Sequence, residues 1–428
     1  MSALAPAAVP QTDVVVPPIQ WKMPILYSVL ALLGIGLFWL GTAGGTFTDF
    51  QLSTSKDFFQ LPLIHVPARP AALVLGVLMV TLAAYSIWAA VQRRRVGAWL
   101  PIAFGVIFIV AFLVFAAAGT GRVVAVATLL AGALSLSVPL IFGSMCGLVG
   151  ERSGIVNIAI EGQLLMGAFA AATAASMTGS AFVGLIAAAV GGMLVAALLV
   201  FFAVKYWVDQ IIIGVVLNVL VVGLTSFLYS TVLTADPQRF NTPDGLPTWP
   251  IPILSQIPVI GPVLFNHTVL VYLMYAIVTF LAIYVFKSKW GLRMRAVGEH
   301  PKAADTVGIN VNRTRVINTI GAGAIAGLGG AFFTVGTGLA FGNEMSSGQG
   351  YIALAAMILG NWNPLGALGA ALLFGFAKNL ANTLSVMGAS VPSDILLMLP
   401  YVVTLFAVAG FVGRVRAPAA ENIPYKKS

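Results

Sequence analysis

Charged residues make up only 8% of this 428-residue chain, against about a quarter in ordinary soluble domains. With 59% of its residues hydrophobic, a water-exposed surface would be largely apolar and prone to aggregate, so a soluble globule is excluded. Lipid is the solvent that fits. The single cysteine, Cys146, rules out a disulfide framework. His65, His267 and His300 are the only histidines and fall in separate connections. No H-x-x-E-H, G-x-S-x-G or clustered Cys/His pattern occurs, so no catalytic residue and no metal ligand is expected. A G-x-x-x-x-G-K-[ST] phosphate loop is missing as well. The start, Met1 to Gln20, has no basic segment ahead of a short apolar core and is read as a disordered cytoplasmic tail rather than a signal peptide.

What the chain does have is apolar length. A span needs roughly 20 mostly apolar residues, and that ruler gives candidates near 24–42, 71–91, 99–119, 123–149, 158–177, 181–204, 211–233, 268–286, 316–341, 346–360, 365–387 and 393–412. The fold class is therefore all-α, a polytopic integral membrane protein with about 10–12 transmembrane helices. Within 123–177, Pro139 and the polar run Glu151-Arg152-Ser153-Gly154 predict a broken helix or re-entrant turn as readily as two clean spans.

The net charge of +9 is not gathered into one patch, which argues against nucleic acid. It sits in short clusters between apolar runs: Lys22; Arg93 to Arg95; Arg152; Lys205; Lys287 to Arg315; Arg414, Arg416, Lys426 and Lys427. The alternate connections hold only Lys56, Arg69, Arg122 and Arg239. Positive charge favours the cytoplasmic side, so both termini are expected inside. The expected organisation is a tail at 1–23, an extension of about three spans at 24–120, a core at 121–414 containing a cytoplasmic loop at 287–315, and a second tail at 415–428. The outer connection from Ala235 to His267, stiffened by Pro237, Pro243, Pro247 and Pro250, is either a partner-binding loop or a plain connector.

Charged and amide side chains at membrane depth are costly and call for a reason. Asn157 and Glu161 are four apart, so a helix would place them on one face, with Gly154 and Gly162 beside them. Together with Gln163, that face either lines a solute pathway or braces neighbouring helix ends. Asn218 needs a hydrogen-bond partner, and Asp209 suits a helix N-terminus. Lys378, with Asn379, Asn382 and Ser385, forms a polar stripe that snorkels outward or faces a cavity. The pathway set is Asn157, Glu161, Gln163, Asn218 and Lys378. Small-residue runs, Gly323-x-x-x-Gly327 and Ala326-x-x-x-Gly330 among them, predict close helix approach and no cofactor. In the inner loop, Pro301 to Val307 predicts two helical turns stopped by Gly308. Alone it is too short to be stable, so it rests on anionic headgroups or on a protein.

Three stretches carry a resemblance. Gly150–Gln163 (GERSGIVNIAIEGQ), Trp290–Asn310 (WGLRMRAVGEHPKAADTVGIN) and Leu359–Ala367 (LGNWNPLGA) resemble, in order, blocks of ATP-binding-cassette permeases of the branched-chain amino acid, ribose and nucleoside class. The resemblance implies that Glu299, Pro301, Ala303, Ala304 and Gly308 couple the chain to a separate cytoplasmic ATPase. That partner would bind the ATP and magnesium, and this chain no cofactor of its own. It further implies a second permease copy or paralogue, an extracytoplasmic solute-binding protein and the bacterial inner membrane. The outer run PIPILSQIP at Pro250–Pro258, with GPVLF at Gly261–Phe265, is most similar to nucleoside members; ribose or another simple sugar, or a branched-chain amino acid, is the alternative. An ion-coupled carrier and a membrane-embedded enzyme or scaffold are the competing classes.

Overall fold

The computed structural model describes residues 19, 21–94, 96–97, 99–388, 398 and 416–426. The expected span 393–412 apart from Met398, most of the expected 1–23 tail, and Arg95, Arg414 and Lys427 lie outside the described residues. Two compact units form, one from Met1–Thr48 and His65–Gly121, the other from Asp49–Ile64 and Arg122–Ser428.

The first unit is three apolar helices: α1 (Lys22–Leu33, prolonged by a π-helical turn, Gly34–Trp39), α2 (Ala68–Val91) and α3 (Trp99–Ala117). Tyr27, Phe38, Met79 and Phe104 are buried between them. Gly34 and Gly76 sit where a Cβ would collide with Met79 and Ile35, so they set how closely α1 and α2 approach.

The second unit begins with α4 (Val126–Arg152), α5 (Ile160–Thr178), α6 (Ala181–Val200) and α7 (Gln210–Leu228). After the short helices α8 (Pro237–Phe240) and α9 (Ile260–Leu264) come α10 (Val269–Lys287), α11 (Lys289–Glu299) and α12 (Pro301–Thr306). It closes with α13 (Val311–Ala331, then a π turn at Phe332–Gly336), α14 (Gln349–Leu359) and α15 (Pro364–Met387). The core lies where α4, α5, α6 and α13 cross, with Phe142 and Leu164 fully buried. Glycine makes the crossing possible: a Cβ on Gly327 would strike the Ala188 carbonyl, and one on Gly330 the Leu164 carbonyl. Elsewhere α7 exposes Ile212, Val216, Val219 and Phe227, a face that suits hydrocarbon and not water.

Nine helices among the described residues are long and apolar enough to cross a membrane. Two candidates fall short of that mark. The stretch near 158–177 forms α5, which is 19 residues long but carries polar residues at its start, and the stretch near 346–360 forms only the 11-residue α14. At about 1.5 Å per residue, α14 spans roughly half a bilayer core. Pro139 does not break its helix, because α4 runs through it and ends at Arg152. The break lies at 153–159 instead. The 287–315 segment is less of a loop than expected, since α11 occupies its first part, started by the Ser288 hydroxyl accepting from the Gly291 amide at 2.9 Å. The 235–267 connection is pinned: Thr248–Pro250 pairs antiparallel with Asn266–Thr268, and Asn241 exchanges two hydrogen bonds with the Phe341 backbone.

Candidate functional site

The non-helical turn after α4 organises the polar interior. Gly154 adopts φ +89°, a left-handed conformation, and a Cβ there would lie 2.7 Å from the Arg315 guanidinium. Asn157 therefore precedes α5, and it does not share a helix face with Glu161. It joins a buried cluster with Gln163 and Cys146. Asn157 Nδ2 donates to Gln163 Oε1 at 3.1 Å and to Cys146 Sγ at 3.2 Å, and the Cys146 thiol donates to Gln163 Oε1 at 3.1 Å. The turn's backbone is satisfied from α7, since Val156 N donates to Gln210 Oε1 at 2.7 Å.

Glu161, in the first turn of α5, faces the start of α14. Its carboxylate accepts from the Ser346 hydroxyl at 2.6 Å, the Gly348 amide at 2.8 Å and the Gly350 amide at 2.6 Å. Asn218 on α7 closes the arrangement: its Oδ1 accepts from Gly162 N at 2.8 Å, and its Nδ2 donates to the Ile158 carbonyl at 2.9 Å and the Tyr351 hydroxyl at 3.1 Å. Four of the five expected pathway residues thus lie close together with internal partners. The fifth, Lys378, is half-buried near the other end of α4, next to Asn379, whose Nδ2 donates to the Leu129 carbonyl at 2.7 Å. Asp209 caps α7 by accepting from Ile211 N and Ile212 N at 2.9 and 3.1 Å, which lowers its carboxyl pKa.

At the Arg152 end the three sequence blocks converge. The Trp362 indole donates to Glu151 Oε2 at 2.6 Å, and the Trp362 carbonyl accepts from Arg152 Nε and Nη2 at 3.1 and 3.0 Å. Gly298 of α11 packs against the Arg152 carbonyl so tightly that a Cβ would not fit. α12 follows directly, with Pro301 at its first position and Gly308 (φ +83°) past its end. The structure brings Glu299, Pro301, Ala303, Ala304 and Gly308 together but turns them differently. Ala304 is buried with Val297, Val311 and Tyr425, whereas Lys302, Ala303, Thr306 and Val307 face solvent, Val307 being 75% exposed.

Residues 416–426 complete this end of the bundle. Ala419 N donates to Glu299 Oε2 at 3.3 Å, Ala420 N to the Gly298 carbonyl at 2.9 Å, and Arg315 Nη1 to the Ile423 carbonyl at 2.9 Å. Asn422 bonds Gln210 N and Asp209, and Lys426 lies 4.4 Å from the Trp207 ring centroid. Burial pushes the Glu421 carboxyl up to about 7. Sequence reasoning gave Arg315, Ser346, Tyr351 and the 416–426 segment no such role. Their partners lie on other helices, and spacing along one chain does not show them. Among the described residues no group of His, Cys, Asp or Glu could hold a metal ion.

Fold and site together define a polytopic α-helical membrane protein with a short, anchored helix exposed at one end of its bundle. Residues 129–408 match the family described as branched-chain amino acid transport system, permease component, and the chain belongs to that family. It is similar to the guanosine ABC transporter permease protein NupQ of Bacillus subtilis, 38% identical over 303 residues that cover 69% of this chain and 95% of the relative. It is also similar to the nucleoside ABC transporter permease protein NupC of Lactococcus lactis, 39% identical over 70% of this chain and 97% of the relative. A putative glucose ABC transporter permease protein, TsgC13 of Haloferax volcanii, is 31% identical over 59% and 77%. No solved structure matches the chain.

Proposed function

We propose that this chain is the membrane subunit of an ATP-driven importer that carries a nucleoside into the cytoplasm. It works with a separate ATPase, a second permease copy or paralogue and an extracytoplasmic binding protein. The observation that carries the reading is α12, whose inner side is fixed by Ala304 while Ala303 and Val307 stay free for a partner. A helix of six residues has no stability of its own, so a push on it is passed to α11, α13 and the Arg152 end of α4. Similarity of about 70% of this chain to nearly the whole of a guanosine permease and a nucleoside permease supports the solute. The lysine and arginine clusters support a cytoplasmic location for α12 and for both termini. Alternating access follows: closure of the ATPase dimer moves α12, and the bundle opens outward to receive solute.

The test is uptake by proteoliposomes holding the permease, its ATPase and its binding protein. Guanosine should accumulate with ATP inside and stop when the ATPase carries a dead phosphate loop, even under an imposed proton gradient. Accumulation by the permease alone, driven by ions, would refute the reading. A simple sugar is the second candidate, favoured by the similarity to the putative glucose permease, and ribose in the same assay decides it.

A further inference from the structure

Four of the expected pathway residues already have hydrogen-bond partners inside the second unit. Asn157, Glu161, Gln163 and Asn218 each spend hydrogen-bonding groups on neighbouring helices. Free groups occur elsewhere, around a cavity of about 420 Å³ near the start of α4. Among the described residues, the side chains of Thr128, Ser135, Thr248, Asn266 and Thr268, all lining it, make no hydrogen bond within the protein. The backbone adds a carbonyl that lacks its usual helical donor. Pro139 has no N–H to give to the carbonyl four residues back, which belongs to Ser135.

The cavity's electrostatics are as selective as its hydrogen bonding. No aspartate, glutamate, lysine or arginine lines it. His267, also in the wall, is held below the usual histidine range by burial, and its Nε2 lies 2.7 Å from the Val263 carbonyl, so it adds no charge at neutral pH. Val271 and Phe332 supply an apolar side. A charged or zwitterionic solute entering here would lose water without gaining a counter-charge. An uncharged solute with several hydroxyls and one flat apolar face would satisfy both walls. Ser135 lies 17 positions before Arg152, about 26 Å along α4 at 1.5 Å per residue, so the cavity is far from the α12 end.

We infer that this cavity is the permease's own solute subsite, and that it takes an uncharged, hydroxyl-bearing ring compound of the nucleoside class. The inference rests on the proposed importer function and adds where the solute is held and why amino acids are refused. The Ser135 and Thr268 hydroxyls and the Ser135 carbonyl bind the sugar, and Phe332 covers the base. Handover from the binding protein ends at this cavity, before any step at the Glu161 cluster.

Uptake by the full complex tests it, with KM and kcat measured for guanosine, ribose and leucine. Thr268→Val and Ser135→Ala should each raise the guanosine KM roughly five- to tenfold, the weight of about one neutral hydrogen bond. Kcat should change little. Ser135→Leu, which fills the cavity, should abolish guanosine uptake, and co-purification of the ATPase shows that this variant still assembles. Phe332→Leu should weaken guanosine more than ribose. If the wild type moves guanosine and neither Thr268→Val nor Ser135→Ala shifts KM, the subsite is overturned and the importer reading stands. A wild type that moves leucine and neither guanosine nor ribose overturns both.

Discussion

The indole of Trp362 and the carboxyl of Glu151 meet through a 2.6 Å hydrogen bond in a buried setting, joining the start of α15 to the end of α4. Asn361 and Trp362 both adopt left-handed φ, +57° and +49°, a conformation that costs energy in non-glycine residues. The Glu151 bond and the two Arg152 bonds to the Trp362 carbonyl hold that turn in place. Trp362→Phe keeps the ring and deletes the donor, leaving the buried Glu151 carboxyl short of a partner. We expect a loss of about 1–3 kcal/mol, read as a lower melting temperature in detergent, with reduced ATP-dependent uptake.

Glu161→Ala should be at least as damaging. It strands the Gly348 and Gly350 amides and the Ser346 hydroxyl, three donors aimed at one site. Hydrogen bonds to a charged group are worth about 1.5–3 kcal/mol each in mutational series. Hydrogen exchange should show the start of α14 opening first. A variant whose exchange there matched the wild type would remove Glu161 as the brace.

Gly327→Val tests the helix crossing. Any Cβ at this position meets the Ala188 carbonyl and the Gly192 amide, which are backbone atoms and cannot swing aside. Overpacking of this kind costs about 1–3 kcal/mol or more. The expected outcome is poor recovery of folded protein, whereas Gly321→Val, with nothing near its Cβ, should be tolerated.

Val307→Asp, alone or with Ala303→Arg, changes only the exposed side of α12. Stability should stay within about 0.5 kcal/mol of the wild type, while the ATPase no longer co-purifies. Retained co-purification together with full uptake would place the ATPase contact elsewhere.

The 416–426 segment should be pH-sensitive through Glu421, which lies beside Glu151. Its pKa rises from 4.5 to about 7 when the segment is seated, because burial disfavours the charged form. A raised acid pKa means that seating is fully favoured below about 4.5 and weakens as pH climbs through 7. Limited proteolysis should therefore cut the segment faster at pH 8 than at pH 6, and Glu421→Gln should flatten the difference.

Much of the bundle was legible because lipid imposes a coarse rule: about 20 apolar residues make a span. The small-residue runs at Gly323 and Gly327 were equally readable, since a Cβ at either position would meet backbone of α6. The two-turn helix at Pro301 and its Gly308 stop follow from local chemistry, and the structure ends it one residue earlier than expected, at Thr306. Non-local pairing was not legible. Asn157 and Glu161 looked like one helical face, yet the chain is non-helical until Ile160 and sends them to different partners. Pro139 looked like a break, yet α4 absorbs it. Nothing along the chain links Arg315 to a carbonyl 108 positions away.

That last link has a consequence for biosynthesis. The ribosome delivers α11 and α12 more than a hundred residues before it delivers Ile423, whose carbonyl accepts from Arg315, and Tyr425, which packs with Val297, Ala304 and Val311. Until then the α12 end of the bundle is unfinished, with Arg315 lacking the carbonyls that later receive it. A nascent chain stalled after α15 would hold every helix from α1 to α15 and still leave the α12 end of the bundle without the segment that closes it.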